Sequence, residues 1–326
     1  MAAETPTGGG ETSESQGAFS RWVQSTIQNP QKAYRALFYA AMVFFLVTTL
    51  FPFYWLLVLS ITPISEIGST PFGFPPVPRG AFPWNFGAYI EVFQQVPFHL
   101  YVLNSFVLAI TTTVIVLLIA SLAGYVFGRL RFPGRGLLML GVLAISYFPP
   151  AAFLLPLFDA FAGNQIFVPF TDIPLFKPPR LLNTPGSMIL PFSALFMPLS
   201  IFILTTFYGQ IPDGLEDAAR VEGTTRLGAL FRVIIPLSAP GVATAAVLTF
   251  ITVYNEYFFS SIMATSNEPS NWSPLVGGIL SYQTQFTTSY NLMAAAAVVG
   301  VLPVVVLVVI AQERIVSGLT AGALKE

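Results

Sequence analysis

The chain has 326 residues, of which 54% are hydrophobic and only 9% are charged. Soluble domains carry roughly 25% charged residues, so this composition indicates a membrane protein. A formal net charge of −1 excludes a basic surface that binds nucleic acid. The lack of cysteine and the single histidine exclude a disulfide framework and a metal site built from cysteine or histidine clusters.

Residues 1–20 are predicted to be a disordered arm. They contain Glu4, Glu11 and Glu14 among glycine, serine and threonine, and such a segment cannot bury enough apolar surface to fold. A cleavable signal peptide has a basic start and a short apolar core of about 7–15 residues. Here an acidic arm precedes an apolar run of full spanning length, so we expect a retained membrane helix.

Six intervals of the sequence are suited to cross a bilayer. A spanning helix needs about 20 mostly apolar residues, and each interval reaches that length between charged residues. The fifth interval contains Glu256, and the other five contain no charged residue. The predicted spans are 36–61, 101–127, 137–158, 188–209, 237–264 and 291–312. They define an all-α membrane protein with a transmembrane domain over 21–312.

The positions of lysine and arginine predict the orientation, because positive residues near span ends stay on the cytoplasmic side. With six spans the two termini share a side, and we expect both to be cytoplasmic. The residues then predicted inside are Arg21, Lys32, Arg35, Arg129, Arg131, Arg135, Arg220, Arg226, Arg232, Arg314 and Lys325. Outside lie Arg79, Lys177 and Arg180.

Three external segments follow from this topology. The first two, 62–99 and 159–187, are rich in proline and are predicted to be ordered or semi-rigid loops. The third, 265–290, is polar at first and then briefly apolar. Irregular backbone at membrane depth has to be covered by protein or water, so this third segment is suited to dip towards a cavity.

The predicted cytoplasmic loop 210–236 is polar yet patterned, and it predicts two short helices. Asp213 is a suitable N-cap, and Glu216 three residues later completes a reciprocal capping box. Gly223 is expected to end the first helix. One face of that helix carries Leu215, Ala218, Ala219 and Glu222, and the second helix carries an apolar stripe of Leu227, Leu230, Phe231 and Ile234.

Two interpretations of this loop stay open from the pattern alone. Alanines on an exposed face let another protein approach closely, and nearby carboxylates orient the contact, which favours a docking element. The alternative is a capped helix that lies at the membrane interface.

A resemblance to a known family bears on that choice. Asp217-Ala218-Ala219, then Gly223, then Val233-x-Ile235-Pro236, resembles the EAA signature of binding-protein-dependent ABC importer permeases, with Asp217 in place of the usual glutamate. Three further stretches look like carbohydrate permeases of the MalG type, namely 124–135, Asn255-Glu256 and 312–325. The resemblance runs from about the first span to the C-terminus.

The resemblance implies a type I ABC importer permease fold and a multi-subunit complex. The expected partners are a second permease, two ATP-binding subunits that hold ATP and Mg, an extracytoplasmic solute-binding protein, a sugar and membrane lipid. The residues it assigns to ATPase coupling are Glu216, Asp217, Ala218, Ala219, Gly223 and Pro236. It also makes 265–290 the candidate contact with the solute-binding protein. The chain has no Gly-x-x-x-x-Gly-Lys-[Ser/Thr] phosphate loop, so we expect no enzyme activity and no cofactor of its own.

The tail 313–326 is rich in small residues, including Gly318, Thr320 and Gly322. Its glycines lower the helical propensity, so an extended course along a narrow interface costs little. The resemblance implies a contact with the ATPase subunits, and the alternative is a frayed terminus.

Glu256 lies within a predicted span, where a charge costs about 2.5–3.5 kcal/mol on insertion scales. One interpretation places it with Tyr254 and Asn255 on a substrate pathway or in a polar link to a partner permease. The others are a packing carboxylate that is protonated or hydrogen-bonded, and a proton relay.

Two classes of function therefore remain, of which the sugar importer subunit is preferred. The alternative is a stand-alone secondary transporter or channel, which usually has inverted repeats and several titratable groups inside the membrane. A membrane enzyme is disfavoured because no nucleophile–base pair or metal-ligand set is present.

Overall fold

A computed structural model describes residues 30–67, 84–168 and 170–323 of the chain. The predicted arm at 1–20 lies outside the described residues. The long helices are α1 (Pro30–Ser60), α3 (Phe98–Arg129), α6 (Gly186–Gly209), α9 (Ala239–Tyr254) and α12 (Tyr290–Ala323). Shorter helices are α2 (Ala88–Gln95), α4 (Arg135–Ser146), α5 (Ala151–Phe161), α7 (Asp213–Val221), α8 (Arg226–Leu237), α10 (Ser260–Met263) and α11 (Leu275–Leu280).

Four helices of the described part are long and apolar enough to cross a membrane. They cover Tyr34–Ser60, Phe98–Arg129, Gly186–Gly209 and Tyr290–Gln312. Two further pairs, α4 with α5 and α8 with α9, are bent by 82° and 83° at a short break. The described residues therefore have four straightforward candidate spans, and six if each bent pair is counted as one span.

The third and fifth predicted spans are wrong as continuous helices. The third, 137–158, breaks between Ser146 and Ala151, because Pro149 and Pro150 lack the backbone N–H groups that a continuing helix needs. The fifth, 237–264, ends as a helix at Tyr254, and the short helix α10 follows after a break.

The all-α prediction misses a small antiparallel hairpin in the described residues. Its strands are β1 (Ile166–Phe167) and β2 (Pro174–Phe176), with Ile166 opposite Phe176. Phe170 lies in the turn with a φ of 65° and is fully exposed. Strands this short carry too few residues for a period-two pattern to be visible in the sequence.

The expectation of an extended C-terminal tail is also wrong. Helix α12 continues through the predicted tail to Ala323. Elongating an existing helix adds one hydrogen bond for each residue fixed, whereas a new helix must first be nucleated. The cost of about 1 kcal/mol for each glycine does not outweigh that advantage here.

The part of α1 up to Trp55 is a unit by itself. It is apolar on all sides, and Phe51 and Trp55 pack edge to face along it at a ring-centroid distance of 5.6 Å. A helix that is apolar all round is typical of a membrane span.

In the second unit, which begins at Leu56, helix α3 packs against α6 and α9, and α9 also packs against α12. One buried cluster, with Phe98, Leu108 and Phe192, lies around the first half of α3. A second, with Ala120, Leu204 and Tyr208, lies around its last turns. Gly124 and Gly128 let α3 and α6 approach, since a Cβ at Gly128 would lie 3.0 Å from the carbonyl oxygen of Thr205.

We expect Gly128→Val to separate α3 from α6 and to destabilise the chain by about 1–3 kcal/mol, the usual cost of overpacking. Gly141→Val in α4 is the matched control, because a Cβ at Gly141 meets no atom within 4 Å. Thermal unfolding in detergent measures both. Equal unfolding temperatures for the two variants would contradict the close approach of α3 and α6.

Candidate functional site

The end of α3 holds the first helix of the 210–236 loop through Glu216. The Glu216 side chain is only 10% exposed, and its carboxylate accepts hydrogen bonds from the Tyr125 hydroxyl and from Arg129 Nε, the latter at 2.9 Å. The predicted capping box is therefore wrong. Asp213 is the first residue of α7 rather than its N-cap, which is Pro212. Glu216 is turned towards α3 because a buried arginine there requires a counter-charge.

Arg129 is the centre of this cluster. Its side chain is 3% exposed, and its Nη1 donates to the carbonyl oxygen of Ile211 and lies 3.0 Å from Asp213 Oδ1. The guanidinium thus binds the backbone before α7, the first residue of α7 and the carboxylate one turn later. A planar guanidinium with several donors suits such a three-point attachment better than an ammonium group.

The protonation state of Glu216 follows from these contacts. Burial alone raises the pKa of a carboxyl group, but here the hydrogen bonds from Tyr125 and Arg129, with the charges of Arg129 and Arg220, outweigh burial. The pKa of Glu216 is therefore lowered from its ordinary value of 4.5. The stabilisation by this pair is fully present above the ordinary pKa and is lost only as the pH falls through the lowered one.

The face of α7 that points away from α3 is exposed. Leu215, Asp217 and Ala218 are exposed, Ala219 is half-buried, and Val221 is 88% exposed. The predicted small-residue face is thus present. Of the predicted coupling residues, Asp217 and Ala218 are displayed, whereas Glu216 is not available to another protein.

Gly223 ends this helical region, as predicted. Its φ is +87°, a conformation that glycine adopts without strain, and its N–H donates to the carbonyl of Arg220. Thr225 then caps α8, since its hydroxyl accepts from the N–H of Gly228 at 3.1 Å. The chain turns sharply between α7 and α8 at this glycine.

Helix α8 contains a π-helical segment at Leu230–Ile234. Pro236, exposed near its end, has no N–H to donate to the carbonyl of Arg232 four residues earlier, which is a physical reason for the local rearrangement. Only half of the predicted apolar stripe is buried in this chain. Leu230 and Ile234 are fully buried, while Leu227 and Phe231 are exposed.

The other end of α3 holds the segment 267–281. The Tyr101 hydroxyl donates to the carbonyl of Asn267 at 2.7 Å. Asn104 Nδ2 donates to the carbonyls of Pro269 at 2.8 Å and Ser273 at 3.0 Å. Ser105 Oγ accepts from the N–H of Leu275 at 2.8 Å. The irregular backbone is thereby covered and hydrogen-bonded by protein, as the sequence predicts for such a segment.

After the 267–281 segment, residues 283–288 form an exposed turn. Gln283 pairs with Thr288, and the N–H of Thr284 donates to the carbonyl of Thr287 at 2.8 Å. Phe286 at the tip is 93% exposed. An aromatic side chain held out by an ordered turn is suited to contact another protein.

The three predicted pathway residues lie in different environments. Tyr254 is fully buried and donates to the carbonyl of Gly300 at 2.9 Å, so it belongs to the chain's own core. Asn255 is exposed just after α9. The Glu256 carboxylate accepts from the N–H of Phe259 at 2.8 Å and from Ser260 Oγ at 3.0 Å, which agrees with the hydrogen-bonded alternative.

A cavity of about 320 Å³ lies in the bend between α4 and α5, against α6. Phe259 also lines this cavity, and the rest of its described lining is apolar apart from Ser146. A cavity of this composition lacks the hydrogen-bonding groups that a sugar requires.

Tyr125 and Arg129 are residues of this candidate site that the sequence pattern missed. The stretch 124–135 resembles the family, but the pattern gave neither residue a role. Two signals exist in the sequence. Tyrosine and arginine four residues apart share a helix face, and an arginine at the end of an apolar helix needs a partner or water.

Comparison with known proteins shows the family. Residues 118–320 match the family described as "Binding-protein-dependent transport system inner membrane component", and the chain belongs to this family. It is therefore a multi-pass membrane protein, and its relatives are transport subunits rather than catalysts.

Several relatives align over most of their length. The sulfoquinovosyl glycerol transport system permease protein SmoH of Agrobacterium fabrum is 38% identical over 86% of this chain and 90% of that protein. The trehalose transport system permease protein SugB of Mycobacterium tuberculosis is 32% identical over 85% and 92%. The trehalose/maltose transport system permease protein MalG of Thermococcus litoralis is 31% identical over 89% and 97%.

A solved structure agrees in fold. A chain of a bacterial ABC transporter involved in the import of the acidic polysaccharide alginate superposes with a TM-score of 0.69, covering 87% of this chain and 97% of that chain. The sequence identity is 18%, so the likeness concerns the fold alone.

We expect Glu216→Gln to loosen the attachment of α7 by about 3 kcal/mol, because it removes the buried counter-charge of Arg129 and leaves only the exposed Asp213 to pair with it. Asp217→Asn is the matched control, since Asp217 is 70% exposed and its change should cost less than about 0.5 kcal/mol. Hydrogen exchange of residues 213–221 at neutral pH measures the difference. Equal exchange rates in the two variants would show that Glu216 does not hold α7.

Proposed function

We propose that this chain is one translocation subunit of an ATP-driven, binding-protein-dependent importer for a mono- or oligosaccharide. The family and the sugar-transporting relatives support this proposal. The observation that carries it is the position of α7. This helix has an outer face with small residues and is fixed to α3 by a buried arginine. A force that another protein exerts on α7 therefore passes to α3 without bending α7.

The proposed complex contains a second permease, two ATP-binding subunits and an extracytoplasmic solute-binding protein. ATP and Mg belong to the ATP-binding subunits. The fold is proposed to be of the type I importer class with six spans, the two bent pairs each serving as one, and with both termini in the cytoplasm. This orientation places α7 and the end of α12 on the ATPase side.

The proposed contacts follow the exposed residues. Asp217, Ala218 and Val221 on α7 face the ATPase subunits, and the tail with Gly318, Thr320 and Gly322 remains a predicted second contact. Asn255 and Glu256 remain predicted for the substrate pathway or the contact with the second permease. Because Glu256 is the only charged residue within the six predicted spans, the proposal is that sugar specificity is shared with that second subunit.

Purification of the tagged chain from its native membrane in mild detergent tests the proposal. We expect a second permease and an ATPase to co-purify, and ATP hydrolysis in proteoliposomes to rise when the purified binding protein is added. Sugar uptake by the isolated chain, driven by an ion gradient without ATP, would instead establish the stand-alone transporter.

We expect Gly223→Val to abolish co-purification of the ATPase and transport, because a β-branched residue is strained at a φ of +87°. Gly223→Asn is the matched variant, since asparagine tolerates this conformation, and it should retain most of both activities. Loss of ATPase binding in both variants to the same extent would point to a requirement other than backbone conformation.

Replacing Phe286 by Ala should reduce the stimulation of ATP hydrolysis by the binding protein about tenfold or more, the size expected for loss of an interface hot spot. Basal hydrolysis should not change, because Phe286 is 93% exposed and packs on no core residue. Phe170→Ala, also in an exposed turn, is the control and should leave stimulation intact. Unchanged stimulation in Phe286→Ala would remove 283–288 from the docking surface.

A further inference from the structure

We propose that α3 is a rigid helix that transmits movement between the external 267–281 segment and the coupling helix α7, and we call it the connecting rod. The proposal rests on the proposed function, since it explains how a binding protein outside the membrane influences ATPase subunits inside. It adds a role for α3 and for polar residues at both of its ends.

The external end of the rod is fixed by side chains of the first two turns of α3. Tyr101, Asn104 and Ser105 are each buried, and together they bind backbone groups from Asn267 to Leu275. The ring of Tyr101 also lies over Gly278, where a Cβ would be 2.7 Å from Tyr101 Cγ. A shift of this segment therefore requires either a shift of α3 or the loss of several buried hydrogen bonds, each costly to leave unmade.

The other end of the rod is fixed by Tyr125 and Arg129 in the last two turns. These bind the carboxylate of Glu216, and Arg129 adds the carbonyl of Ile211. Here too a movement of α7 without α3 would break buried, charge-assisted hydrogen bonds, which are the stronger class.

We call Tyr101, Asn104 and Ser105 the outer clamp, and Tyr125 and Arg129 the inner clamp. The part of α3 between the two clamps is suited to transmit a displacement. The whole of α3 has 32 residues, a length of roughly 48 Å at 1.5 Å per residue. The other described helices of spanning length contain proline, at Pro52 in α1, Pro191 and Pro198 in α6, and Pro303 in α12, and α3 contains none. Proline is the commonest cause of a sharp kink, so α3 lacks the usual point at which such a rod would bend.

The test compares three tyrosines that each lose one hydroxyl. Tyr101→Phe removes from the outer clamp the hydroxyl that bonds to the carbonyl of Asn267 and to Ser281 Oγ, and Tyr125→Phe removes from the inner clamp the hydroxyl that bonds to Glu216. Tyr282→Phe is the matched control. Tyr282 directly follows the 267–281 segment, and its hydroxyl donates at 2.6 Å to the carbonyl oxygen of Val92 in α2 rather than to α3. The substitution keeps the ring, which lies 6.3 Å from the ring of Phe98 at the start of α3. All three are measured in the intact complex, reconstituted with its purified binding protein.

The expected result is that Tyr101→Phe loses stimulation of ATP hydrolysis about fivefold or more with unchanged basal hydrolysis, and that Tyr125→Phe loses at least as much when stimulation is expressed relative to its own basal hydrolysis. Tyr282→Phe should keep normal stimulation. When each loss of stimulation is expressed as a free energy, the loss in the double variant should be smaller than the sum of the losses in the two single variants. The clamps lie roughly 36 Å apart along the helix, and at that distance the effects of independent substitutions normally add.

Hydrogen exchange of the chain as isolated from the membrane separates this proposal from the function on which it rests. Tyr101→Phe should raise exchange in residues 213–221, at the far end of α3, and Tyr282→Phe should not. Additive losses of stimulation, or exchange changes confined to the external segment, overturn the connecting rod. Absence of any ATPase stimulation in the unaltered complex overturns the importer proposal instead.

Discussion

The buried pair of Arg129 and Glu216 is the constraint on which the arrangement of this chain depends. An arginine at the end of a long apolar helix has to be matched by a charge, and removing one member of a buried pair leaves the other uncompensated. Glu216 meets that requirement at 2.9 Å and thereby turns α7 so that its alanine and valine side points away from α3. A single electrostatic requirement thus decides which side of α7 is free for another protein.

This explains why the EAA-like signature was recognisable and yet partly misinterpreted from the sequence. The capping residues and the residues that share one face predicted a helix, and Gly223 predicted its end. The local capping rules assigned Glu216 to the backbone of its own helix, because those rules consider only residues close in sequence. Its real partners, Tyr125 and Arg129, are about ninety positions away by sequence number, at the end of another helix. Long-range polar pairing of this kind has no periodic signal in a single sequence.

The spans show the same division between local and tertiary information. Length and hydropathy located α1, α3, α6 and α12 well, because a continuous apolar helix is determined by its own residues. The bend near Pro149 and the end of α9 at Tyr254 were missed, although prolines and the Asn255-Glu256 pair stand in the sequence at these points. Hydropathy does not distinguish a straight span from a bent one, since both are equally apolar. The 265–290 segment was predicted to dip towards a cavity and to need cover from protein or water. The residues that cover part of it, such as Asn104, were not identifiable among the many polar residues of the spans.

The continuity of α12 to Ala323 has a geometric consequence for the C-terminal end of the chain. A helix turns by about 100° for each residue, so the angular position of each helical residue from 313 to 323 is set by the register of the span that precedes it. An insertion of one residue near Arg314 would rotate the whole end of the chain to a new azimuth, whereas an insertion of seven residues would lengthen it by roughly 10 Å and restore nearly the original azimuth. Evolution can therefore lengthen this end most easily in steps of whole turns, unlike the end of a flexible tail.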